Sequence, residues 1–281
     1  MDARRTRGAG SGRCRPDSAV GRASLLGLLA VAVVGTATPA RGQETQVDPG
    51  PDARAEELID RWIRAAGGMD RYHELERATF TVTTELYDTA TGRLRRARPR
   101  YITIGRSPAG EMSRVERWEG DDFIQHGWDG RSAWAFRNGE ELGPGDPDFD
   151  EARYVAADVQ YWISLPYELR DPGVDLHHDG TDEEGREVVR VTFGEGVGDR
   201  QDVWRYRFAP DETVWPVQVE SIEEGVEPVS RLRFEDIREV DGYVFVGRRV
   251  HFDERGRVTK VLATEDFRFN PDVDAEVFSG R

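Results

Sequence analysis

At Thr79 the spacing of apolar residues changes from about every third or fourth position to every second one, and it stays so for most of the remaining chain. Phe80, Val82 and Leu86 alternate with Thr81, Thr83 and Glu85. A period of two puts one set of side chains on one face of an extended strand and the other set on the opposite face. Further strands are expected at 98–105, 111–119, 122–127 and 132–137, then at 187–193, 201–208, 214–223, 229–240, 243–252 and 258–269. Most are separated by short turn signals: Thr91-Gly92, Asp129-Gly130, Asn138-Gly139, Pro210-Asp211, Glu224-Gly225, Asp241-Gly242 and Arg255-Gly256. Tight turns leave no room for the crossover that parallel neighbours need, so the pairing is antiparallel. Trp204, Tyr206 and Phe208 share one face while Arg205 and Arg207 share the other. The fold class is therefore mainly β, an antiparallel sheet with one dry face and one wet face.

Two helices interrupt this pattern. The first runs over 53–66, with Asp52 as N-cap, Glu56 and Glu57 in the first turn and Gly67-Gly68 as the stop. Leu58, Ile59, Trp62 and Ile63 form its apolar stripe. A short helical turn over 70–75 follows. The second helix is expected over 151–165, after a Gly- and Pro-rich loop at 143–150, with Val155, Val159, Trp162 and Ile163 on one side and Pro166 ending it.

The N-terminus reads as processing sequence rather than fold. Six arginines and two aspartates occupy 1–22, an apolar run fills 23–37, and Thr38-Pro39-Ala40 supplies small residues. The run, at roughly 15 residues, is shorter than the ~20 a spanning helix needs. The segment 1–40 is thus expected to be a secretory signal cleaved near Ala37–Ala40, with a flexible leader at 41–52 and one folded domain at 53–281. The mature chain would have no transmembrane span. The single cysteine, Cys14, precedes the apolar run, so the mature chain would carry no thiol and no disulfide. Loss of 1–40 takes the formal charge from −15 to about −19. That surface repels phosphates and excludes nucleic acid as a partner.

Residues that could carry chemistry are scattered. His177-His178-Asp179 is the one histidine cluster, and neighbours on a strand point to opposite faces, which separates them as metal ligands. Acidic pairs such as Asp121-Asp122, Glu140-Glu141, Glu183-Glu184 and Glu223-Glu224 sit mostly beside turn glycines. They read as solvated loops rather than as facing glycosidase carboxylates. No Gly-x-Ser-x-Gly elbow or P-loop is present. The run Gly194-x-Gly196-x-Gly198 lacks the helix that a phosphate fingerprint requires. Neither metal nor cofactor is expected. What stands out is aromatic: seven tryptophans and eight tyrosines, mainly on strand faces and on the helix before Pro166. Each can be plain core. Together they can also line an internal apolar pocket, which suits an acyl chain because polar groups buried there would be costly.

Two stretches carry a family resemblance. Gly127 to Glu141 (GWDGRSAWAFRNGEE) resembles a hairpin of the periplasmic carriers of outer-membrane lipoproteins. Leu232 to Phe278 resembles that LolA/LolB-like superfamily's final strands, through its DIREVDG turn, ERG hairpin and FRFN strand end. The opening helix and the segment 75–86 fit the same layout. The resemblance implies an open β half-barrel whose concave face is covered by helices and encloses a hydrophobic cavity. The helix at 151–165 would then belong to the lid, and Phe80, Val82, Trp134, Phe136, Trp162, Trp204 and Tyr206 would form the cavity wall. The aromatic insertion at 143–182 sets the chain apart from the true carriers, as a side branch of the superfamily. Arg100 and Arg117 are the two alternatives for the carriers' cavity arginine. The function implied is that of an exported, soluble periplasmic protein binding lipid or lipoprotein acyl chains, with envelope proteins or lipoproteins as partners. The alternative is a non-catalytic envelope interaction or sensor domain on the same fold, with an enzyme the least favoured reading.

Overall fold

The computed structural model describes residues 53–108, 110–194, 203–210, 214–222 and 229–280. The expected signal, the leader, the Asp52 cap, the glycines following Gly194, and the turns at Asp211 and Glu224-Gly225 lie outside the described residues.

Among the described residues thirteen antiparallel strands form one sheet. They are β1 (Arg77–Tyr87), β2 (Leu94–Ser107), β3 (Gly110–Glu119), β4 (Asp122–Trp128), β5 (Ala133–Arg137), β6 (Glu140–Leu142), β7 (Val174–Thr181), β8 (Glu187–Phe193), β9 (Val203–Phe208), β10 (Pro216–Ile222), β11 (Ser230–Val240), β12 (Tyr243–Phe252) and β13 (Val258–Phe269). The spatial order is β6-β5-β4-β3-β2-β1-β13-β12-β11-β10-β9-β8-β7. First and last strands pair at the centre, and the two edges come from the middle of the chain. The sheet is not closed, and the open half-barrel expected from the sequence is the architecture observed.

That order dictates where the helical insertion must go. The chain leaves one edge at β6 and re-enters at the other as β7, so it has to cross the width of the sheet. It does so through α3 (Pro147–Asp150) and α4 (Ala152–Ser164). The helix α4 buries Ala156, Val159 and Ile163 against the sheet. The opening helix α1 (Ala53–Ala65) is followed by the short α2 (Gly68–His73). The stripe read from the sequence of α1 is buried as expected, and Trp62 lies fully enclosed among Tyr206, Phe208, Trp215 and Phe234, with ring centroids 5.3–6.1 Å apart. Burying such a ring contributes on the order of 1.5–3 kcal/mol.

A second aromatic column ties the helices to the central strands. Tyr72 stacks on Tyr167 at 4.5 Å, Tyr167 meets Tyr243, and Tyr243 lies parallel to Phe267 at 5.7 Å. The buried hydroxyls are satisfied: Tyr243 donates to the Ile163 carbonyl at 2.7 Å and Tyr167 to the Ala66 carbonyl. The column reaches Phe267 because β13 is bulged. Thr79 and Thr81 of β1 pair with Arg268 and Glu265, which leaves an extra residue in β13, and Asp266 there has φ 53°. The bulge switches the inward set from Leu262 and Thr264 to Phe267 and Phe269.

The structure extends the sequence reading at three places. The short α3 occupies what was expected to be loop, started by Pro147 and capped by the Asp146 carboxylate on the Asp148 amide at 3.0 Å. The edge strand β6 is three residues long. Strand β7 occupies 174–181, where only a strand end at the histidines was expected, because VDLHHDGT has little apolar alternation to read. Among the described residues no helix is long and apolar enough to cross a membrane.

Candidate ligand-binding cleft

Side chains alternate along every strand, so register fixes which ones face α4. Across the sheet that face carries Arg117, Arg100, Val82 and Thr264 in one row of partners, Leu262 and Arg249 in the next, and His251, Leu232, Val219, Tyr206 and Val189 in a third. Where α1 and α4 sit on this face it is filled. Between α4 and the strands beside it a cleft of about 990 Å³ is left open. Tyr161 and Trp162 of α4 form its roof, with Phe193, Trp204, Leu232 and Leu262 among its walls. The rings brace one another. Trp162 meets Trp204 edge-on at 5.6 Å, Tyr161 lies 5.8 Å from Trp204, and Tyr161 and Tyr206 share a hydroxyl–hydroxyl hydrogen bond of 2.9 Å. The Trp162 indole N–H donates to the Asp158 carboxylate at 2.9 Å.

The floor departs from the greasy pocket expected of the sequence. Arg98, Arg100, Arg117, Arg249, His251 and Lys260 all line it. Two of these are engaged with acids: Arg98 with Glu119 at 3.3 Å, and Arg117 with Asp148. Asp148 also accepts from Arg137 at 2.8 Å. Burial would push the Asp148 carboxyl up, but the two guanidiniums outweigh it and hold the group below its usual range. His126 is buried beside this triad, with Nδ1 3.1 Å from the Asp148 carbonyl oxygen, the geometry of an N–H donated to it. Burial, aided by the nearby Arg117 and Arg100, lowers its pKa to about 4. Burial likewise lowers His251 to about 3 with help from Lys260 and Arg249, and brings Arg249 down to about 10. Both histidines are neutral at pH 7. Toward the inner end, burial and the neighbouring Glu111 raise the Glu168 carboxyl to about 8.

The seven residues expected to form the wall do not stay together. Trp162 and Trp204 line the cleft. Phe80 and Val82 lie deeper, buried under α4 around a small void shared with Arg100, Trp162 and Arg249. Tyr206 is fully buried, and its hydroxyl reaches the cleft wall only through Tyr161. Trp134 and Phe136 require correction. They point to the other side of the sheet, since their neighbour Ala135 is the β5 residue paired with the inward-facing His126. Trp134 packs instead against Gly127 and Gly280 and donates its indole N–H to the Phe278 carbonyl at 2.7 Å. The physical reason is space: α3 and α4 pass over this end of the sheet, and the fully buried Ala135 faces inward where an indole would be too large.

Arg249, His251 and Lys260 escaped the sequence reading. The signal for them was available as an exception. In GRRVHF and VTKVLA they occupy the positions of the dry-face set, where the period calls for apolar residues. Elsewhere, His177 and His178 fall on alternate faces of β7, and His178 lies 3.3 Å from Glu187. Among the described residues no group of three His, Cys, Asp or Glu is placed to hold a metal.

No family model matches the chain, and no curated protein matches it. Solved structures do. A DUF1329 family protein from Desulfovibrio piger superposes with a TM-score of 0.50 at 11% identity, over 80% of this chain and 96% of that one. A LolA superfamily protein from Nitrosomonas europaea superposes with a TM-score of 0.48 at 14% identity, over 80% of this chain and 96% of that one. At such identities the likeness is one of fold alone: an unclosed antiparallel sheet with helices on one face.

Proposed function

We propose that this chain is an exported periplasmic binding protein that takes an acyl chain of a lipid or lipoprotein into the cleft beneath α4 and carries it within the envelope. The observation that carries this reading is the unfilled space itself. A cleft with a roof of two aromatic side chains, an apolar wall and a cationic floor is left open over about 990 Å³, in the range of small-molecule pockets. A protein with no guest would gain by collapsing that space, because apolar surface left in contact with water costs about 25 cal/mol per Å². The basic N-terminal segment with its apolar run supports export, and the resemblance of 127–141 and 232–278 to lipoprotein carriers supports a carrier role.

Native mass spectrometry of the purified protein, followed by organic extraction, tests the reading. A co-purified apolar molecule, or uptake of an uncharged alkyl probe by the delipidated protein, is the expected result. Trp204→Ala removes a cleft wall and is expected to weaken uptake roughly tenfold, the worth of one aromatic contact of about 1.4 kcal/mol. A protein that is empty on purification and refuses every alkyl probe would end the proposal.

A further inference from the structure

Three cations meet on the cleft floor without an acid in contact with them. Arg100 comes from β2, Arg249 from β12 and Lys260 from β13. The other arginines that line the cleft are occupied: Arg98 by Glu119, Arg117 by Asp148, and Arg153 over the Trp128 ring at 5.2 Å. Arg249 is only 5% exposed, and its guanidinium carbon stands 4.2 Å over the centre of the Trp162 ring. Among the described residues its side chain makes no hydrogen bond and no ion pair, and neither does that of Lys260. The Nε of Arg100 is buried without an acceptor. One carboxylate, Asp158, acts on all three from α4, and it already accepts the Trp162 indole N–H at 2.9 Å.

Three positive charges thus face one negative charge in a place largely withdrawn from water. The cations also repel one another, and burial with this repulsion draws the Arg249 and Lys260 pKa values down. A withdrawn charge is tolerated when something of opposite sign and good hydrogen-bonding geometry meets it. Asp158 acts on them without forming an ion pair, no other carboxylate of the described residues contacts them, and the cluster opens into the cleft beside Trp204, Leu232 and Leu262. We infer that the cleft binds an anionic amphiphile, its carboxylate or phosphate head held by Arg249, Arg100 and Lys260 and its alkyl chain laid along the aromatic wall. Arg249 and Arg100 offer fork geometry for two oxygens at once, and Lys260 adds a point charge. This inference rests on the reading of the cleft as an acyl-chain site and adds the chemistry of the head.

Calorimetric titration of the delipidated full-length mature protein with dodecanoate, dodecyl phosphate and dodecanol separates the two ideas. The expected result is that at least one anion binds tenfold or more tighter than the alcohol, and that 0.5 M salt erodes this preference. Which anion binds tighter identifies the head as carboxylate or phosphate. In Arg249→Met and in Lys260→Met, each checked for folding by far-UV circular dichroism, the preference is expected to fall below threefold. Equal affinity for all three ligands would overturn the head-group inference and leave the acyl-chain reading standing. A preference kept in full by both variants would overturn the assignment to these residues. Refusal of all three ligands would overturn both ideas.

Discussion

Arg249 is folded into place with two other cations nearby and without a contacting acid, so the unliganded protein holds a site that opposes its own stability. Replacing even a buried ion pair by apolar side chains of similar volume is often neutral or stabilising by about 1–4 kcal/mol, and Arg249 has no ion pair to lose. Arg249→Met is therefore expected to raise the urea midpoint of the ligand-free protein while it weakens anion binding. The two buried histidines set the acid limit. Their folded pKa values, about 4 for His126 and about 3 for His251, lie below the ordinary 6.5. The unfolded chain therefore takes up protons first as pH falls. The histidine contribution is full above 6.5 and declines below it, up to about 1.4 kcal/mol per pH unit for each until its folded value is reached. Glu168, held up to about 8, works the other way because its unfolded carboxyl loses its proton first as pH rises. Asp148, held low by its guanidiniums, adds to the loss only below the usual carboxylate range. Urea midpoints at pH 7 and pH 5 measure this fall, and His126→Gln is expected to flatten it. At this scale the sequence was partly legible. Trp162 and Trp204 announce themselves as large rings on dry faces, whereas Arg249 and Lys260 look like any surface cations until the register of β12 against β13 turns them inward.

Among the elements, the hairpin of β4 and β5 shows how a small residue decides what a strand presents. Gly127 lies opposite Trp134, and a Cβ at Gly127 would stand 2.1 Å from the Ser113 carbonyl oxygen and 2.6 Å from the Trp134 ring. Gly127→Ala must push the strand or the ring aside. It is expected to cost about 1–3 kcal/mol, as overpacking does, and to loosen the C-terminal turn that Trp134 holds through the Phe278 carbonyl. Chemical denaturation with tryptophan fluorescence measures both effects. The existence of this hairpin was plain from Asp129-Gly130 and Asn138-Gly139, the latter with φ 53° and 83°. Its inward face was not plain, because a single-residue choice of register exchanges every side chain between faces. Strand β7 was obscured for a related reason: its pattern of exposed and buried residues is that of an edge, and edges do not need apolar alternation. The helices α1 and α4 were readable from spacing alone because each buries a single stripe.

For the whole molecule, a guest that binds the folded chain and not the unfolded one stabilises it by mass action. At a hundred times its dissociation constant the preferred dodecyl anion is expected to add about 2.7 kcal/mol, read as a rise in melting temperature that Arg249→Met diminishes. Topology adds a mechanical point. The outermost strands β6 and β7 each have one neighbour, and the chain between them travels by way of α3 and α4 over the inner face. The molecule is built like a drawn bow: the sheet is the stave, the α3–α4 segment is the string strung from tip to tip, and Trp162 sits on the string. Any spreading of the tips to admit a bulkier guest must tauten or shift that string. Aperture and roof position therefore vary as one coordinate, and a guest that alters one is felt at the other.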